Sequence, residues 1–261
     1  MNILQMLRDR RNRRQVYSQP DFWNRKAQDL KGHAVSMWAN NHLNDLYHAE
    51  LLSLLEAELP DLKGKKVLDL GCGTGRFSRW FADRGAMVTG VDFAEKPLEI
   101  ARGLSDGDNP CYQQGSMFEL RGEEEYDLVF ACASVTMACG CSDELRQVAA
   151  GIYRVLRPGG FMVLLEPIHS SCLHRTLKMD VATFLNIFIE AGFQNSPARQ
   201  LYFWPTRLLL AYIQFPRWLT AIGYHAGHSV MRLSRDRWGG DYKAIFAIRP
   251  QKVEKSKQVQ A

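Results

Sequence analysis

The feature that most limits what this chain can fold into is an apolar run that leads straight into three closely spaced glycines. Val67-Leu-Asp-Leu-Gly-Cys-Gly-Thr-Gly-Arg-Phe-Ser78 sets Gly71, Gly73 and Gly75 between a short apolar stretch and the start of a helical pattern. Glycine permits positive φ and close approach to the backbone. Open α/β sheets bind ligands at the carboxyl ends of their strands, where such a turn lies. The dinucleotide fingerprint needs a glycine at the sixth position of Gly-x-Gly-x-x-Gly, and Arg76 stands there. A tight turn with no ligand is the simpler alternative. Two acids weigh against it: Asp69, two residues before the first glycine, and Asp92, about 20 residues after the loop.

Strand and helix patterns alternate around this loop. Strands are expected at 67–70, 87–91, 110–114, 126–132, 161–166, 200–204 and 242–249, with helices at 42–59, 75–82, 94–102, 143–156 and 181–191. Arg157-Pro-Gly-Gly160 is expected to stop the helix before it, and residues 1–35 read as polar and irregular. The alternation predicts a doubly wound α/β sheet of seven mostly parallel strands. The wide gap before the last strand requires an insertion. The expected division is an N-terminal cap over 1–41, an α/β domain over 42–204, a helical insertion over 205–240, the last strand over 241–250 and a flexible tail over 251–261.

The net charge of +5 is unevenly placed. Residues 1–14 and 205–240 each hold five Arg against one Asp, and 250–261 add a surplus of two, so the body is mildly acidic. An apolar fraction of 46% fits a globular chain. No charge-free apolar run is long enough for a spanning helix, which needs about 18 residues, and the Arg-rich start lacks the apolar block of a secretory signal. The six cysteines show no zinc or disulfide spacing, so free thiols in a reducing cytoplasm are expected.

The loop with its preceding acid resembles motif I of the class I S-adenosylmethionine-dependent methyltransferases. Tyr126-Asp-Leu-Val-Phe-Ala-Cys132 is similar to motif IV, and Arg154-Val-Leu-Arg-Pro-Gly-Gly-Phe161 to the family's turn before the fifth strand. The resemblance covers roughly 42–200 and 241–249. It implies a Rossmann-like fold with S-adenosylmethionine as cofactor, held by Asp69, Gly71, Cys72, Gly73 and Gly75. Asp92 would accept both ribose hydroxyls, and Phe93 would lie against the adenine. The family often has an acid after the third strand. Ser116, followed by Met117, stands there instead and would serve through its hydroxyl, and Cys132 would complete the cofactor wall.

Methyl transfer from a sulfonium is an in-line displacement, so the protein's main task is to align donor and acceptor. An acceptor hydroxyl would also need a base. Glu166-Pro-Ile-His169 ends the fifth strand, making His169 the candidate base and Glu166 its orienting partner; a loop histidine with a plain hydrogen bond is the alternative. His225 and His228 stand three apart with no third ligand, and the position after the fourth strand reads Ala131-Cys-Ala-Ser134, so no metal is expected. The Asn/Asp-Pro-Pro-aromatic motif of amino-methylating nucleic-acid enzymes is missing, and nucleic acid is not expected as a partner. The insertion mixes Trp204, Tyr212, Phe215, Trp218 and Tyr224 with five Arg. It reads either as helices packed into a lid or as a peripheral contact with an anionic membrane. Trp238-Gly-Gly-Asp-Tyr242 is similar to bacterial methyltransferases of glycan and lipid biosynthesis. The expectation is a cytoplasmic methyltransferase of a small-molecule or lipid-like acceptor. A protein or RNA methyltransferase and a silent cofactor-binding regulator remain open.

Overall fold

A computed structural model describes residues 13–29, 38–168, 177, 179–234 and 240–251. The expected tail over 252–261, His169 and Cys172 lie outside them. In chain order the elements are α1 (Arg13–Tyr17), α2 (Pro20–Asp29), α3 (Asn41–Glu58), β1 (Lys66–Leu70), α4 (Arg76–Ala82), β2 (Met87–Asp92), α5 (Glu95–Gly103), β3 (Cys111–Gln114), a 3₁₀ turn (Met117–Glu119), β4 (Tyr126–Cys132), α6 (Val135–Ala138), α7 (Ser142–Val155), β5 (Leu156–Glu166), α8 (Val181–Glu190), β6 (Gln194–Asn195), β7 (Arg199–Phe203), α9 (Trp204–Leu210), α10 (Arg217–Leu233) and β8 (Gly240–Ile248).

The sheet runs β3-β2-β1-β4-β5-β8, with β6 and β7 both paired to the far side of β8. Strands β1 to β5 pair in parallel, whereas β8 is antiparallel to β5, β6 and β7. Side chains alternate between two buried layers, as the pleat requires. Leu68, Val129, Ala131 and Leu164 face α7 and α8, whereas Val67, Leu128, Phe130 and Val163 face α3 and α4. A strand buried on both faces reads as a continuous apolar run, which is why 126–132 was legible. Burying one such Phe or Leu contributes about 1.5–3 kcal/mol.

Four expectations need correction. Residues 13–29 are largely helical, as a helical N-terminal cap requires and unlike the local reading of 1–35 as irregular, and Asn24 Oδ1 of α2 accepts a hydrogen bond from Lys96 N of α5 at 3.0 Å. The expected seven strands become eight because a two-residue strand, β6, precedes the expected sixth. Pro197, which has no N–H to give to the ladder, falls between β6 and β7. Arg157–Gly160 does not separate helix from strand, because β5 starts at Leu156. The register then shifts, so that Leu156 pairs with Tyr126 and Phe161 with Leu128. Finally, Trp204 opens α9 instead of closing a strand, with Pro205 in the first turn, where its fixed φ suits a helix.

The insertion is a helical hairpin, α9 and α10, packed on α3. Asn40 Nδ2 donates to Leu210 O at 3.0 Å, Tyr224 Oη donates to Glu50 Oε2 at 2.9 Å, and His228 Nε2 lies 3.0 Å from Glu50 Oε1. Trp38, Tyr47, Tyr202 and Tyr242 pack between the hairpin and the sheet, with Tyr47 and Tyr202 centroids 3.8 Å apart.

Candidate active site

The glycine loop is tied to the end of β2. Gly71 N and Cys72 N both donate to Val91 O (2.7 and 3.1 Å), Gly73 N donates to Asp92 Oδ2 (2.9 Å), and Gly75 N to Cys72 O (3.0 Å). These four N–H groups are turned into the protein. A phosphate cradle needs its N–H groups aimed at the ligand. Those four donors are spent within the protein, as are the carbonyls of Cys72, Thr74 and Gly75, which accept from Gly75 N, Arg79 Nη1 and Arg79 N.

Packing within the protein explains two of the glycines. A Cβ on Gly71 would lie 2.3 Å from Ser134 Cβ, and one on Gly75 would lie 2.1 Å from Tyr112 Oη. Both have φ near +70°, in the left-handed region that L side chains rarely adopt.

Asp92 ends β2 with its carboxylate 2.9 Å from both Gly73 N and Ala94 N. Burial raises its pKa, and the N–H bonds pull the other way. A carboxylate has about four lone-pair sites, so acceptor capacity remains for a diol. Beside it opens a cavity of about 270 Å³, at the carboxyl ends of β1, β2 and β4. Apolar walls come from Val91, Phe93, Pro97 and Met117. Tyr17, Ser18 and Trp23 from the N-terminal helices also line it, as do Cys132, Ala133, Ser134, Met137 and Ala138 after β4. An acid at a strand end and apolar walls wide enough for a base fit a nucleoside.

Of the expected cofactor residues, Gly71, Gly73, Asp92, Phe93, Ser116, Met117 and Cys132 line this cavity. Asp69, Cys72 and Gly75 do not. Asp69 is buried beneath the loop, accepts a 2.6 Å hydrogen bond from Ser78 Oγ, and has its pKa pushed up by burial to about 7. Cys72 packs against Leu98, Ala101 and Tyr112. Ser116 Oγ accepts from Phe118 N at 3.2 Å, capping the 3₁₀ turn, and burial lifts the Cys132 thiol to about 12.

Glu166 has a different task from the one expected. It is fully buried. Its Oε1 accepts from Ser134 N and Val135 N (3.1 and 3.0 Å), and its Oε2 accepts from Thr136 N and Thr136 Oγ1 (3.1 and 2.6 Å). Its carboxylate holds the turn into α6, which carries Ser134, Met137 and Ala138 to the cavity. Burial raises its pKa, and these donors pull the other way. Ser134 Oγ in turn donates to Leu70 O at 2.7 Å. The sequence reading missed the turn at Ala133 (φ +53°) and Ser134, and no local pattern marks it.

Fold and cavity together define a doubly wound domain whose acid-walled, largely apolar cavity at the strand ends suits a nucleoside. The methyltransferase domain family matches residues 68–164. A methyltransferase of Geobacillus sp. strain WCH70 is 31% identical over 177 residues, covering 66% of each chain. The ubiquinone biosynthesis O-methyltransferase of Pasteurella multocida is 34% identical over 139 residues, 49% of this chain and 54% of that one. The chain thus spans about two thirds of the first relative's length and about half of the second's. An S-adenosylmethionine-dependent methyltransferase from Mesorhizobium loti shares the fold with a TM-score of 0.57 at 21% identity, covering 76% of this chain and 96% of that one. The chain belongs to the class I S-adenosylmethionine-dependent methyltransferases.

Proposed function

We propose that the chain methylates a small-molecule or lipid-like acceptor by in-line displacement. The observation that carries this reading is the Asp92 carboxylate at the wall of a largely apolar cavity at the carboxyl ends of β1, β2 and β4. S-adenosylmethionine supplies an electrophilic methyl on a sulfonium. The new bond from the acceptor to carbon forms as the sulfur–carbon bond breaks, and the sulfur leaves as a neutral thioether.

The residues of this chain bind, orient and exclude water. Asp92 takes the ribose hydroxyls, Phe93 and Met117 flank the base, and Tyr17 and Trp23 close the cleft from the N-terminal side. Burial keeps the Cys132 thiol protonated near neutrality, so it neither attacks nor takes a proton. Glu166 has its oxygens engaged in the α6 turn. An acceptor hydroxyl would therefore pass its proton to His169, three residues beyond Glu166. The O-methyltransferases of ubiquinone biosynthesis among the relatives support a small acceptor.

Calorimetry tests the reading. The folded parent should bind S-adenosylmethionine, and Asp92→Ala should weaken binding roughly 10- to 100-fold, the worth of one or two hydrogen bonds to a charged group. A parent with no affinity, or an Asp92→Ala variant that binds equally well, would refute it.

A further inference from the structure

Helix α10 is apolar on two opposite faces, and the fold uses only one. Thr220, Tyr224, Gly227 and Met231 are buried, and this face meets α3 through Tyr224 and Glu50. The far side should be polar if it faced only water. It carries Trp218, Ile222, Ala226, Val230 and Leu233, spaced as one stripe along the helix, all exposed. Leu209 of α9 and Ile213 in the turn after it are exposed as well. Exposures of 72% at Leu209, 65% at Trp218, 60% at Ile222 and 86% at Leu233 are high for such side chains. An exposed contiguous apolar surface of this kind marks an interaction site.

Charge decides the partner. From residue 191 to 235 the chain contains no Asp or Glu, yet it carries Arg199, Arg207, Arg217, Arg232 and Arg235. Arg207 is buried near Trp38 and Tyr212 and plays no part at the surface. Arg217 and Arg232 are exposed near the two ends of α10, about 22 Å apart at 1.5 Å per residue. An apolar stripe with a tryptophan near one end and guanidinium groups at both fits the boundary between acyl chains and anionic headgroups. A protein partner would equally cover the apolar stripe, but a segment with no acid of its own and with exposed Arg217 and Arg232 favours a dense anionic plane, even though Arg199 is paired with Glu58.

Topology sets this face near the site. β7 and β5 are both antiparallel to β8, so β7 ends at Phe203 on the same rim as Glu166. The hairpin leaves the sheet from the rim that holds the cavity. We propose that the outward face of α9 and α10 docks the chain on an anionic lipid surface. This proposal does not depend on the methyl-transfer reading.

The test is flotation of the full chain with phosphatidylcholine vesicles, with and without phosphatidylglycerol. The parent should partition onto the anionic vesicles and come off as salt is raised, since exposed charges are screened. Trp218→Ser with Ile222→Ser should abolish binding. Arg217→Glu with Arg232→Glu should weaken it more than about 25-fold, at roughly fivefold per basic side chain lost. Both variants should keep the parent's affinity for S-adenosylmethionine by calorimetry, which shows that they fold. The proposal falls if the parent ignores anionic vesicles or binds neutral ones as well. It also falls if the serine variant floats like the parent, or if the parent is a dimer that this variant dissociates. A protein that floats but binds no S-adenosylmethionine would overturn the methyl-transfer reading and leave this one standing.

Discussion

Glu166→Gln separates a structural carboxylate from a catalytic one, because the two side chains have nearly the same shape. In the parent, four donors converge on the carboxylate: three backbone N–H groups and the Thr136 hydroxyl. Glutamine has one oxygen and one NH2. If its oxygen keeps Ser134 N and Val135 N, the NH2 confronts Thr136 N where the partner was 3.1 Å away. The Thr136 hydroxyl can rotate to accept, but the N–H cannot. One buried N–H left without a partner costs about 1–3 kcal/mol, and the bonds that remain lose their charge assistance, about 1 kcal/mol more. The expected loss is therefore about 2–4 kcal/mol. For a chain of this size that is a fall in melting temperature of roughly 5–15 °C. Chemical denaturation with calorimetric titration of S-adenosylmethionine is the assay. Stability should fall, and affinity should fall with it, since Ser134, Met137 and Ala138 line the cavity. A variant as stable as the parent that loses only turnover would refute this reasoning and return Glu166 to the role of orienting a base.

Gly75→Ala should destabilise by about 2–4 kcal/mol. The left-handed backbone costs an L residue about 1–2 kcal/mol, and the new Cβ drives Tyr112 Oη from its 3.0 Å contact with Ser105. A loss below about 1 kcal/mol in urea unfolding would contradict the stated geometry. Asp69 contributes to the pH dependence of stability, as do Asp92 and Glu166, whose pKa values burial also raises. The Asp69 pKa rises on folding from 3.8 to about 7 through burial, so the folded state holds a proton that the unfolded state has released. Stability from this group is therefore complete below 3.8 and falls as pH climbs to about 7, by up to roughly 4 kcal/mol. Asp69→Asn should flatten that part of the stability–pH curve, and an unchanged slope would show that another group is responsible.

The central strands were legible because a strand buried on both faces must be a mostly apolar run, and 67–70, 128–132 and 161–165 are such runs, broken only by Asp69. Elements defined by tertiary contact were not legible. α2 is short and mostly polar. Its place depends on Asn24 reaching Lys96 N and on the packing of Tyr17, Phe22 and Trp23, whose ring centroids lie 4.9–5.7 Å apart. The two-residue β6 was too short to leave a pattern, and Pro197 keeps it from running on into β7. The Arg-Pro-Gly-Gly segment misled because those residues stop helices and also serve at β-bulges.

At the site, residue types were legible and directions were not. Asp69 and Asp92 look equivalent in the sequence, yet the pleat sends them to different places. Asp92 is the last residue of its strand and opens onto the cavity. Asp69 comes one residue before its strand ends, and the alternation turns it toward Ser78 of α4. The glycines carry a related lesson. Gly71 and Gly75 are required by Ser134 and Tyr112, which are parts of the protein itself. The loop would need these glycines whether or not a ligand ever entered, so the motif taken alone is evidence of how β1, β2 and β4 pack. What bears on the ligand is where the loop's polar groups point. Four N–H groups bonded within the protein are not available to a phosphate, and the carboxylate of Asp92 at the cavity wall adds a charge that repels one.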